Sequence, residues 1–118
     1  MFAACGAALL ALTACSSLKT PATADVAVSR AAVDNAANSG AADLAPAEMR
    51  SAREKMALAN KALADKDYKL ARDLANQAQA DAKLAQSKAD STKATAAANA
   101  LNEDVRVLRE ELDRTSRQ

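Results

Sequence analysis

The sequence predicts an all-α fold: a small antiparallel three-helix bundle or helical hairpin whose long C-terminal helix extends as a coiled-coil-like rod. Three observations predict it. Of the 118 residues, 34 are Ala, the strongest helix former. Ile and Trp are absent, and Phe and Tyr occur once each, so the residues that fit a pleated sheet are scarce. Larger and smaller apolar residues also recur at alternating steps of three and four, the period of one helix face. Half of the residues are apolar, but most of those are methyl-sized, so the core is expected to be thin and the helices close together.

Thr23 is placed as the N-cap of the first helix, with Asp25 in its first turn. Its apolar face runs through Val26, Arg30, Val33 and Ala37 to Ser39, where Gly40 suits a left-handed C-cap. Ala41 to Ala45 reads as a short connection. Pro46 then opens a second helix, since its missing donor costs nothing in a first turn, and Glu48 complements the positive helix end. Met49, Ala52, Met56, Ala59 and Leu63 follow at steps of three and four, a heptad seam that ends near Asp65.

Asp65-Lys66-Asp67-Tyr68 reads as a tight turn, with Asp67 capping a third helix that Tyr68 opens. Helices joined so briefly run antiparallel. From Tyr68 the stripe Ala71, Ala75, Ala78, Ala82, Ala85 and Ala89 is pure Ala, flanked by Leu70, Leu74 and Leu84. Ala94, Ala98, Leu101, Val105, Leu108 and Leu112 resume the same steps five residues after Ala89, so the stripe rotates near Asp90 to Lys93. The alternatives at that point are a bend, a frayed turn or a seam shift within one continuous helix.

The first two helices reach only the near half of the third, which leaves Leu101, Val105, Leu108 and Leu112 as a candidate surface for self-association or for an envelope protein. The plainer reading is a solvated face on a lone helix. The polar side carries alternating charges, with Glu110 to Arg114 and Asp113 to Arg117 spaced i, i+4 in the favourable order.

At the other end, Phe2 to Leu12 form an apolar run too short to span a bilayer but suited to a signal-peptide core. The run closes in Leu12-Thr13-Ala14-Cys15, which resembles the lipobox of bacterial lipoproteins. That resemblance implies a signal peptide over residues 1–14 and a mature chain beginning at Cys15, acylated and held in lipid. Ser16, rather than Asp, after the Cys resembles the export signal to the outer membrane, which implies its periplasmic face. One departure is the absence of Lys or Arg before the apolar run. Residues 15–23 are then expected to be a flexible tether, 24–90 the Ala-rich bundle and 91–118 the extension.

The stretches Ala45-Pro46-Ala47-Glu48-Met49 and Asp67-Tyr68 with Ala71-Arg72 resemble the bacterial lipoprotein family catalogued as domain of unknown function 4398, over roughly residues 24 to 90. The resemblance implies a helical envelope domain with no established activity, so it supplies no catalytic residue. Asp67-Tyr68-Lys69-Leu70-Ala71 also resembles the corner of a tetratricopeptide repeat, but it occurs once and a solenoid needs several.

Function classes narrow accordingly. The chain has no His, its mature Cys is expected to be acylated, and its carboxylates fall on polar helix faces, so no enzyme, metal site or cofactor is expected. A net charge of +1 with acids and bases interspersed disfavours nucleic acid. A structural or adaptor lipoprotein is the leading reading. The alternative is a module that binds peptidoglycan noncovalently.

Overall fold

The computed structural model describes residues 13–118, with side chains from Leu18 onward. All the elements are helical: α1 (Thr13–Asn38), the single turn α2 (Ala41–Leu44), α3 (Pro46–Ala64) and α4 (Tyr68–Ser116). The apolar run and Leu12 lie outside the described residues.

Asp25 of α1 meets Arg72 of α4, and Ser39 at the end of α1 meets Lys93, so α1 and α4 run in the same direction. Glu48 meets Lys88 and Lys55 meets Asp81, so α3 runs against both. The up-down-up arrangement buries Ala71, Ala75, Ala78, Ala82, Ala85 and Ala89 of α4 completely. Opposite them stand Val26 and Val33 of α1 and Met49, Ala52, Met56 and Ala59 of α3. With only methyl groups along the α4 stripe, the larger Val and Met side chains of the facing helices fill the space, and Met49 is the largest fully buried side chain among the described residues.

The beginning of α1 differs from the expected tether. The helix starts at Thr13 and passes through Pro21, although Pro21 has no N–H to reach back to residue 17. Packing accounts for it: Ala22 is fully buried, and Leu18 lies beside Arg72 and Asn76 at the start of α4. Thr23 is therefore no N-cap; it lies within the helix, and its hydroxyl donates to the Lys19 carbonyl at 2.9 Å. The buried line of α1 is Ala22, Val26, Ser29, Val33 and Ala36. Arg30 is exposed and Ala37 half-buried, a correction of one residue toward the N-terminus at two positions of the expected face. Small Ser29 fits the crowded interior, whereas the Arg30 guanidinium turns outward to the Asn60 amide oxygen at 2.9 Å.

Gly40 stands at φ 84° and closes α1 as expected, its N–H donating to the Ala37 carbonyl at 3.1 Å. The expected connection contains the helical turn α2, whose Ala41 is fully buried. In α3 the seam drifts at its last turn. Ala62 is buried there and Leu63 is half-buried, packing against the edge of the cluster. At the next corner Asp67 caps α4, with its Oδ1 accepting the Leu70 N–H at 3.1 Å, and Tyr68 is half-buried as the helix opens.

Of the three alternatives near Asp90, the chain adopts the continuous helix. Thr92 and Thr95 are accommodated within it, their hydroxyls donating back to the Lys88 and Ser91 carbonyls, each at 2.9 Å. At about 1.5 Å per residue, the 49 residues of α4 extend roughly 73 Å. The buried stripe ends at Ala89, and every residue from Asp90 to Gln118 is exposed.

Candidate functional site: the exposed end of the long helix

The bundle ends where the Lys93 ammonium donates to the Ser39 carbonyl, close beside Gly40. This contact fixes the exit of α4 from the bundle with a cation at a helix C-terminus, where the carbonyls of α1 lack intrahelical partners. Beyond it Leu101, Leu108 and Leu112 are 63%, 63% and 69% exposed, and Val105 is 36% exposed. All four sequence-predicted residues of the candidate surface therefore share one face of α4 with no intramolecular cover.

The opposite, polar face is organised differently from the expected pairing. The Arg106 guanidinium bridges Glu103 on one side and Glu110 on the other, and Arg114 pairs with Glu111 at 3.2 Å. Glu110 is engaged by Arg106, Arg114 pairs one position nearer to itself than expected, with Glu111, and no ion pair joins Asp113 to Arg117. Hydrogen bonding to Arg106 holds the Glu103 carboxyl below its ordinary value. The same contact raises the Arg106 guanidinium, with Glu110 adding to the effect. Such pairs on an exposed helix stabilise it by tenths of a kcal/mol each.

Within the bundle the predicted seam residues Met49, Ala52, Met56, Ala59, Ala71, Ala75, Ala78, Ala82 and Ala85 come together in the interior, with Leu63 and Tyr68 at its margin. Thr13, Ala14 and Cys15 belong by backbone to the first turns of α1, while their side chains and Leu12 lie outside the described residues. Sequence reasoning missed the polar contacts that hold the bundle together: Arg72 to Asp25 at 2.7 Å, Lys88 to Glu48, and Asp81 with Ser51 and Lys55. Their partners are 26 to 47 residues apart, so nothing local in the sequence pairs them.

Among the described residues no cluster of three or more His, Cys, Asp or Glu could hold a metal ion. Likewise, no described helix is long and apolar enough to cross a membrane. Among the described residues, one shallow depression lies against α4 alone around Glu110 and Arg114, and another between α1 and α3 around Arg30 and Met56.

An Ala-lined helical bundle carrying an elongated terminal helix defines the class of this protein as a small all-α helical rod domain. The chain belongs to the family described as Domain of unknown function (DUF4398), whose model matches residues 24–101. That match covers the bundle and the first part of the extension and ends at Leu101, the first large residue of the exposed stripe. No curated protein and no solved structure matches the chain.

Proposed function

We propose that this chain is a non-enzymatic, lipid-anchored lipoprotein of the periplasmic face of the outer membrane, an adaptor that holds a helical docking surface away from the bilayer. The observation that carries the reading is the shared direction of α1 and α4. Because these helices run parallel, the Cys15 end and the exposed stripe fall at opposite ends of the molecule. Leu18 lies at the level of Arg72, so Leu112 stands about 60 Å further along α4 at about 1.5 Å per residue.

Leu12-Thr13-Ala14-Cys15 supports the anchor, and Ser16 supports the outer membrane as destination. Several acyl chains on one Cys hold a protein far more firmly than one, since each buried methylene contributes about 0.8 kcal/mol. The absence of His from the sequence and the engagement of carboxylates in surface ion pairs support a role without catalysis.

Membrane fractionation tests the anchor: wild-type protein is expected in the outer-membrane fraction and Cys15→Ser in the soluble fraction. Retention of Cys15→Ser in membranes overturns it. A photo-crosslinking residue at Leu108 in intact cells tests the docking surface, with crosslinked protein expected there and none from a control site at Glu54 on exposed α3.

A further inference from the structure

Resting on the docking-surface reading above, we propose that the occupant of the exposed α4 stripe is a second copy of this chain, aligned parallel and in register over residues 94–115. The steps Ala94, Ala98, Leu101, Val105, Leu108 and Leu112 fix a heptad register in which Ala98, Val105 and Leu112 are a positions and Ala94, Leu101 and Leu108 are d positions. A β-branched Val at a between Leu residues at d is the pattern that favours two parallel strands.

The charges decide orientation and partner. In this register Asp104 is a g position and Arg109 the e position five residues later. A parallel copy places each Asp104 against the other chain's Arg109, two attractive pairs related by symmetry. An antiparallel copy instead sets g against g and e against e, so the acidic edge of Asp104 and Glu111 meets the same edge of the other chain and Arg109 faces only e positions, with no attractive pair. Among the described residues neither Asp104 nor Arg109 forms an ion pair within the chain. The engaged charges Glu103, Arg106 and Glu110 occupy the outer b and f positions. Asp104 and Glu111 beside the stripe would also be repelled by an anionic membrane surface.

Two further features of the fold are compatible with this pairing. The five-residue step from Ala89 to Ala94 exceeds the expected three by two residues, which at 3.6 residues per turn rotates the stripe by about 200°. The stripe thus faces roughly away from the side of α4 on which α1 and α3 pack, so two copies can zip along α4 with their bundles outside. Leu84, 49% exposed, lies on the same line, but Lys83 and Lys88 flank it at g and e, so the pairing begins beyond it. Three heptads form a weak zipper in dilute solution, and anchoring both chains in one leaflet in the same orientation raises their effective concentration.

The test uses the full chain in its native membrane. Leu108→Cys, oxidised in place, is expected to give a disulfide-linked homodimer that the wild-type chain does not give, showing that neither Cys5 nor Cys15 is responsible. Arg109→Asp is expected to lower the yield of that dimer roughly three- to tenfold, and Asp104→Arg combined with Arg109→Asp to restore it. Both sites are exposed, and circular dichroism of each variant is expected to match wild type. Absence of a Leu108→Cys homodimer overturns the proposal, as does linkage found only between Leu101→Cys and Leu112→Cys chains, which marks an antiparallel pair. Capture of a different protein from Leu108 in cells lacking the homodimer overturns the proposal while leaving the adaptor reading in place; no product of either kind sinks both.

Discussion

Lys55 of α3 donates to Oδ2 of Asp81 on α4 at 2.7 Å, and the Ser51 hydroxyl reaches the same oxygen at the same distance. Partial burial pushes the Asp81 carboxyl up, but the hydrogen bonds from Lys55 and Ser51 and the charge of Lys55 outweigh it, so the group is held below its ordinary 3.8. A carboxylate depressed in the folded state contributes stability above its unfolded pKa, and that contribution fades as pH falls through the folded value. Glu48, lowered chiefly by its hydrogen bond to Lys88, acts with the same sign. Thermal melts are therefore expected to hold steady near neutrality and to fall below about pH 4. Asp81→Asn should cost about 1 kcal/mol at pH 7, a modest figure because solvent still reaches both partners, and should flatten the acid limb. Parallel acid limbs for the variant and wild type would refute the assignment.

Ala78 is completely buried where α4 meets α1 and α3, and Ala80, two residues on, is exposed. Ala78→Leu adds three carbons to an interface that has no room for them and should destabilise by about 1 to 3 kcal/mol. Ala80→Leu adds the same atoms on the solvent side and should leave the melting temperature within a degree or two, as Leu also has good helix propensity. Equal loss in the two variants would contradict the placement of the stripe.

The α4 stripe was legible in the sequence because Ala at every seam position leaves one consistent period, and the Asp67 cap because a short acidic side chain stood before the first apolar residue. The α1 face was harder. Its true line passes through Ser29 and Ala36, and periodicity alone could not rank Ser29 above Arg30 when neither is apolar, since the choice is made by the space available between α1 and its neighbours. Pro21 among small polar residues read locally as part of a tether and Thr23 as a helix beginning; the complete burial of Ala22, which only the tertiary packing decides, overrides both signals. Asp81 fell among many charges, and only the fold brings it to Ser51 and Lys55.

The α3–α4 corner holds Lys66 at φ 64°. Its N–H donates to the Leu63 carbonyl at 3.2 Å and the Asp67 N–H to the Ala62 carbonyl at 2.9 Å, the paired bonds of a Schellman ending. A Cβ in the left-handed region costs about 1 kcal/mol or more, which glycine avoids. Lys66→Gly is accordingly expected to raise stability by up to about 1 kcal/mol, as the corner gains more from relieved strain than it loses in unfolded-state entropy. At the α1–α2 corner the effect reverses. Gly40 is at φ 84°, and a Cβ there would meet only the Lys93 side chain at 3.6 Å, so Gly40→Ala should cost about 1 kcal/mol through backbone strain rather than collision. Denaturant titrations of the two variants should move in opposite directions.

The two halves of α4 are one helix with two sources of stability. From Ala71 to Ala89 each turn buries at least one Ala against α1 or α3, so its amides can open only when the bundle opens. Beyond Lys93 the helix rests on intrinsic propensity and on the pairs of Arg106 with Glu103 and Glu110, which together give only marginal helicity to a segment of this length. Hydrogen exchange at low protein concentration should therefore show slow amides over 71–89 and fast ones over 97–116, with the change falling near Lys93. Arg106→Ala should speed exchange in the second group and leave the first unchanged. Uniform slow exchange along all of α4 in a monomer would mean that the extension is held by contacts other than these.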